Sequence, residues 1–362
     1  MNRRLRKKIW ICTDVWMDIL PSFDRPQLGL KMALISDRFD VLVDAHFDGK
    51  SELTISNWTM ISKDKGPESK LFVRIDDNFV AFPFPDHPLP NKIRFRLLQI
   101  FYIDHCVLAF LRFNKQIWDR MGTKVELDIA NVQPIWDVLT SEIWPIFVPN
   151  IRHLRFLNGD HLDNLRRRTS PTILTDLDQL ISICSCGLFP DAIAADDEPN
   201  ATARHVLSKW VHTPSKSGQP KRLFCEDFTT NIEWINGFKE TFLRDTASVS
   251  YKIHIGISRP IKPIELFELV NERTQEKLTL EKVARFGIYW LLKRCPIIVG
   301  ETVTDQQKKD QNWDDHLNNV QFILWGGSTN CIGPLSPPAE KKKRRTNENN
   351  ENSLYLRNER FH

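Results

Sequence analysis

No stretch of this chain holds an uninterrupted apolar run of the roughly 18 to 20 residues that a bilayer-spanning helix needs. That lack argues against a helical membrane anchor. Cysteine is scarce, seven in 362 residues and odd in number, which speaks for reduced thiols and against a disulfide framework. Glycine is sparse at 14, and none of it builds a phosphate cradle: Gly326-Gly327-Ser328 is a turn signal, because no Lys-Ser/Thr follows to hold phosphate and metal. The basic opening, Met1 to Lys8, runs into an amphipathic stretch with Asp14 and Asp18, unlike the apolar core of a signal peptide. The expectation is a cytoplasmic or nuclear protein, or both.

What is present is ordinary for a globular chain, 41% hydrophobic and 27% charged, at a length that suits two domains. The net charge of +4 misleads as an average, since 12 of the 50 Lys and Arg lie in residues 1–9 and 339–362 with only 4 of the 46 acids. The remainder is slightly acidic, which argues against nucleic-acid binding by the fold itself. Five consecutive cations, Lys341, Lys342, Lys343, Arg344 and Arg345, stand in a Ser-, Pro-, Glu- and Asn-rich flank. They read as a nuclear-import candidate or a phosphate-binding tail, with a solubilising tail as the plain alternative.

Chemical constellations are thin. Asp104-His105-Cys106 sets a base beside a nucleophile, but neighbours in sequence are expected to diverge on a helix, and no third orienting group can be placed. Cys184 and Cys186 share a strand face ahead of His205 and His212, at spacings unlike those of a structural zinc site, so packing is the better reading. Asp196-Asp197-Glu198 reads as solvated surface, and Trp210 with His212 as core. The expectation is no catalytic residue, no metal and no cofactor.

Texture divides the chain into a basic, disordered arm (1–9), a helical module (10–48), a β-hairpin and Pro-rich linker (49–90), an α/β region (91–259), an antiparallel β cap with a trailing segment (260–333) and a disordered basic tail (334–362). The hairpin joins Leu53 to Ile61 with Leu71 to Ile75, and the four prolines of Phe82 to Pro90 force an extended linker. Across the α/β region, β-like runs at 93–102, 124–129, 151–157, 180–186, 222–226 and 251–257 recur about every 29 residues, with one longer step of about 40. Helical patterns at 104–120, 135–147, 162–178, 201–212 and 233–245 lie between them. Strands alternating with helices at this spacing predict a mostly parallel sheet. Lys124-Val-Glu-Leu-Asp-Ile129 alternates polar with apolar, so one sheet face should meet solvent, as in a curved, irregular leucine-rich-repeat-like solenoid. The leucine-rich-repeat Asn or Cys ladder is absent; a doubly wound domain or an α+β non-repeat body is the alternative. Two β runs, 263–270 and 277–283, and a strand at 289–299 should form the cap that a solenoid end requires.

The module is the densest apolar stretch. Thr13 is the expected N-cap of a first helix whose Val15, Ile19 and Phe23 recur in steps of four, beside Trp16 and Leu20. Pro21 should end that helix, Asp24 with Gln27 should form a capping box for a second, and Ser36 should re-initiate a third. So small a unit cannot cover its own large apolar groups. Ile19-Leu20, Phe23-Asp24, Leu28 and Met32-Ala33-Leu34-Ile35-Ser36-Asp37-Arg38-Phe39 resemble the F-box, with Phe39 where that family has Trp. Two features depart from its pattern: Ile11-Cys12 replaces an opening Leu-Pro, and one extra residue lies around Gly29 to Met32. Further stretches, Leu89 to Leu98, Ile143-Trp144-Pro145-Ile146-Phe147, Leu165 to Thr172, Leu207 to Pro214, Pro220 to Leu223 and Leu292 to Ile297, are similar to a large nematode-expanded family of F-box proteins. The resemblance implies a non-enzymatic substrate receptor of an SCF-type cullin-RING ubiquitin ligase. It would dock on a Skp-type adaptor, and through it a cullin, by Ile11, Cys12, Val15, Trp16, Ile19, Leu20, Leu28, Leu34, Ile35 and Phe39, and hold a protein substrate on its C-terminal region. A scaffold without ligase association, and a nuclear nucleic-acid-associated protein, are the alternatives.

Overall fold

The computed structural model describes residues 11–47, 53–54, 58–63, 69–85, 87–89, 93–157, 159–192, 201–226, 233–256, 264–284, 288–297, 318–324 and 331–336. It begins with three short helices, α1 (Thr13–Ile19), α2 (Arg25–Gln27) and α3 (Asp37–His46). Pro21 ends the first as expected, inside a 3₁₀ turn over Leu20–Ser22. Asp24 and Ser36 stand at the N-cap positions of α2 and α3 as expected, but neither side chain accepts a capping hydrogen bond, and Cys12, not Thr13, is the N-cap of α1. The Asp24 and Ser36 carbonyls accept the first helical bonds, from Leu28 N and Asp40 N.

The strands that follow are β1 (Leu53–Thr54), β2 (Thr59–Lys63), β3 (Ser69–Ile75), β4 (Asn78–Phe82), β5 (Ile93–Arg94) and β6 (Leu98–Ile100). The expected hairpin is β2 with β3, and a second one, β3 with β4, turns at Asp76, whose φ of 53° an aspartate tolerates. The Pro-rich linker is pinned at its end, where Leu89 is buried and its N–H donates to Asn114 Oδ1 at 2.8 Å.

Helix and strand then alternate. α4 (His105–Phe113) and α5 (Lys115–Met121) precede β7 (Thr123–Ile129); α6 (Gln133–Val138) and α7 (Trp144–Phe147) precede β8 (Ile151–Phe156). α8 (Gly159–Arg168) and α9 (Ile173–Asp176) precede β9 (Ser182–Cys186), α10 (Ala203–His212) precedes β10 (Lys221–Glu226), and α11 (Glu233–Arg244) precedes β11 (Tyr251–Gly256). The remaining strands are β12 (Phe267–Asn271), β13 (Glu276–Ala284), β14 (Ile288–Pro296) and β15 (Asn318–Leu324).

Among the described residues, all strands but β1 and β5 join one sheet of 13, in the order β12-β13-β14-β11-β10-β9-β8-β7-β15-β6-β2-β3-β4. The run from β11 to β2 is parallel throughout; β3 and β4 at one end and β14, β13 and β12 at the other are antiparallel. The fold is therefore mixed α/β with a large, mostly parallel sheet. β7 to β11 follow one another in chain order, without the reversal of a doubly wound sheet. One correction concerns residues 260–333, whose later part does not trail: β15 inserts between β6 and β7. Val320, Phe322 and Leu324, alternate residues of that strand, fill core positions. Behind it Ile103 and Ile332 form a bridge, and His105 N donates to Pro334 O at 2.9 Å, so the first residues of the expected tail pack on the fold.

One face of the sheet is the core. Leu98, Ile100, Val125, Leu127, Leu154, Phe156, Ile183, Leu223 and Ile253 are buried in a single cluster with Trp118, Trp136 and Trp210 of the helices. The opposite face carries the alternate residues, mostly polar and half-buried.

Candidate protein-interaction surfaces

In the helical module the apolar side chains separate into two sets. Leu20 and Leu28, at 0% and 1% exposure, belong to the core cluster, and Lys31 Nζ sits 4.9 Å above the ring of Phe82 on β4, so the inward set ties the module to the body. Outward, Val15 is 44% and Ile35 60% exposed, and Cys12 is exposed. Ile11, Trp16, Ile19, Leu34 and Phe39 are half-buried between the two sets. Trp16 meets Phe39 edge to face at 4.8 Å, and Arg38 Nη2 donates to Ile11 O at 2.6 Å, fastening α3 to the start of α1. Of the ten residues singled out, then, eight offer surface and two are committed to the fold. Val41, 67% exposed, is a further exposed aliphatic side chain of the module and was not among them. Leu28–Met32 forms a π-turn, a wider turn that holds one more residue than an α-turn without breaking the helical path.

The second candidate is the opposite sheet face, part of which is covered, since His153, Ser182, Cys184 and Lys252 on it are buried. A chain of side-chain hydrogen bonds crosses it: Trp58 Nε1 to Gln99 Oε1 at 2.6 Å, Gln99 Nε2 to Gln321 Oε1 at 2.7 Å, and Gln321 Nε2 to Glu126 Oε2 at 2.8 Å. Arg155 continues it, 3.8 Å from Glu126 and donating to Glu226 Oε2 at 2.9 Å. Next to this chain Phe224 and His254 stack at 4.4 Å. Nearer the start of the parallel strands, the register lines up Lys124, His153, Ser182, Arg222, Lys252 and Lys293 in one row. Burial, reinforced by Lys124 and Arg155, holds the His153 imidazole well below its ordinary value of 6.5. No residue of this row was singled out from the sequence. Its signal was there: β7, β10 and β11 each open with Lys or Arg at the first residue that points to this face.

The chemical candidates resolve into structure. Asp104 caps α4 and is spent on it: Oδ1 accepts from Val107 N at 3.1 Å and Ser69 Oγ at 2.8 Å, and Oδ2 from Ser69 N at 2.9 Å. His105 and Cys106 do not diverge as expected; Sγ lies 3.4 Å from Nε2, at the start of the helix. Ligand atoms of the three residues fall within 4.8 Å of one another, with the Asp104 oxygens already taken. Burial pushes the Cys184 thiol up to about 12 and raises Cys186, where Glu226 adds to the effect, so neither is an activated nucleophile. Trp210 is buried, and Lys221 donates to its carbonyl while burial lowers the ammonium to about 8. His212 packs against Phe238 and Tyr251. Asp196-Asp197-Glu198, Gly326-Gly327-Ser328 and Lys341 to Arg345 lie outside the described residues. Among the described residues, no helix is long and apolar enough to cross a membrane. Comparison with known protein families, with curated proteins and with solved structures finds no match for this chain.

Proposed function

We propose that the chain is a non-enzymatic substrate receptor of a cullin-RING ubiquitin ligase. Residues 10–48 act as an F-box-like module on a Skp-type adaptor, and the α/β body serves as an irregular, leucine-rich-repeat-like platform for a target protein. The observation that carries the reading is the division of the module's apolar side chains: Leu20 and Leu28 anchor it inward while Val15 and Ile35 stand exposed. Exposed aliphatic side chains grouped on one small module mark a place where another protein can bury them. A scaffold whose module packs wholly on its own body would bury Val15, Ile19 and Phe39, and Val15 is exposed while the other two are half-buried. The chain-order succession of β7 to β11 supports a repeat-like platform, and β12 to β14 on its end support a cap. Catalysis would be by proximity, raising the effective concentration of a target lysine beside a ubiquitin-charged enzyme held elsewhere in the assembly.

The test is adaptor capture by the purified full chain, compared with a Val15→Asp, Ile35→Asp variant. Both substitutions fall on exposed side chains and leave the fold intact, whereas Leu20→Asp would place a carboxylate at 0% exposure and unfold the module. Wild-type chain should retain a Skp-type adaptor and the variant should lose it. A wild-type chain that retains none overturns the proposal.

A further inference from the structure

The large sheet has two outer edges, and they differ in kind. β12, at one end, is guarded: α11 lies against it, with Asn271 Nδ2 donating to Phe242 O at 2.6 Å and Lys239 Nζ 4.1 Å above the Phe267 ring, and Glu268 stands exposed at its centre. Cover and charge of this kind keep an edge from pairing with another chain. β4, at the other end, carries no charge of its own along Asn78-Phe79-Val80-Ala81-Phe82. Among the described residues no strand pairs with its outer side. Its first four residues are exposed, Phe79 at 40% and Val80 at 39%.

We infer that β4 pairs with β4 of a second copy of this chain, antiparallel about a two-fold axis at Val80. The backbone sets this register. The two-residue turn at Asp76-Asp77 makes Ile75 and Asn78 a hydrogen-bonded pair, so Asn78, Val80 and Phe82 spend their backbone groups on β3, and Phe79 and Ala81 point theirs outward. Arg74, which lies opposite Phe79, accordingly donates its N–H away from β4, to Trp58 O at 3.0 Å. With the axis at Val80, Phe79 of each copy faces Ala81 of the other, and their outward groups exchange about four backbone hydrogen bonds. The side chains suit the same register, since a large ring then lies across from a methyl group and Val80 across from Val80. Charge agrees as well. Lys31, exposed and 4.9 Å above the Phe82 ring, marks one end of the strand; the Asp76-Asp77 turn marks the other, with the Asp77 side chain 97% exposed beside Arg74. Antiparallel pairing carries the acidic turn of each copy toward Lys31 of the other. Pro83, with no N–H to donate, ends the ladder, and the two-fold uses β4 of both copies, so the assembly closes as a dimer. So short a ladder buries less than the roughly 1,200 Å² of a standard interface, which makes the dimer weak and dependent on concentration.

The experiment is sedimentation velocity of the full chain from about 1 to about 300 μM, a range that spans weak association. Wild type should pass from the 42.3 kDa monomer to a species of twice that mass. Val80→Lys, which sets two ammonium groups against each other on the axis, should lose the dimer, and so should Val80→Glu. An equimolar mixture of those two variants should recover it, because Lys then faces Glu, and misfolded chains could not do that. Val270→Lys, at a 48% exposed position on β12, should dimerise as wild type does. Circular dichroism checks that each variant is folded. A wild type that stays monomeric throughout, a Val80→Lys chain that still dimerises, a mixture that stays monomeric, loss of the dimer in folded Val270→Lys, or growth into species larger than a dimer would each overturn the inference.

Discussion

Replacing Arg294 by Met should be among the most damaging single changes available in this fold, and the structure says why. The guanidinium is at 0% side-chain exposure and faces Glu276, also at 0%. Nε and Nη2 donate to Glu276 Oε2 at 3.0 and 2.8 Å, Nη2 also donates to Ala247 O at 2.8 Å, and Nη1 pairs with Asp245. The other carboxylate oxygen, Oε1, accepts from Ser248 Oγ at 2.7 Å and Val249 N at 2.9 Å. This knot joins β13 and β14 to the loop that leads into β11, where the parallel sheet meets its antiparallel end. Methionine fills much of the volume but leaves the Glu276 charge buried and unmatched, which costs about 3–5 kcal/mol, against a total stability on the order of 5–15 kcal/mol. Adding Glu276→Gln removes the stranded charge yet keeps an oxygen for Ser248 and Val249, so the double variant should be more stable than Arg294→Met alone. Urea unfolding followed by tryptophan fluorescence at neutral pH reads both. A double variant as unstable as the sum of the two single changes would refute the electrostatic argument and leave packing as the cause.

Acid should weaken the fold through its buried histidines. Burial lowers His153, His161 and His212 below 6.5, so the unfolded chain takes up protons first as pH falls. Their contribution is fully present above the ordinary histidine value of about 6.5 and is lost as pH drops through it toward the folded values. The urea midpoint should fall between pH 7.5 and 5.5, and His153→Gln should flatten that slope; an unchanged slope would remove His153 from the account. Gly333→Ala should destabilise by about 1–3 kcal/mol, because an added Cβ would lie 2.2 Å from Tyr102 Oη and 3.1 Å from the Asp104 Cβ. A melting temperature equal to wild type would show that residues 331–336 do not pack as described.

Local sequence carried the element pattern well. The runs at 124–129, 151–157, 222–226 and 251–257 became β7, β8, β10 and β11 within a residue or so, because alternation and helical period are properties of neighbours in the chain. Pro21 ended α1 for the same reason, since its lost N–H and fixed φ act within one turn. The capping box was right in position and not in chemistry: Asp24 is the N-cap of α2, but its carboxylate takes no first-turn amide, because a side-chain cap depends on the rotamer and surroundings and not on sequence spacing alone. In the module the apolar period marked the right residues without saying which were inward: Leu20 and Val15 read alike in sequence, and only the packing separates them.

By itself, the sequence determined that this chain alternates strand and helix, that an apolar helical module precedes them, and that the sheet would have one polar face. Tertiary structure alone decided three things. It put β15 between β6 and β7, a pairing of residues 98–100 with 320–322 that no local pattern encodes. It buried Arg294 on Glu276, although a charged side chain is by default expected outside. And it brought Lys124, Arg222, Lys252 and Lys293 into one row, because register between strands far apart in the chain is settled by the packing of the core face, which fixes the opposite face as well.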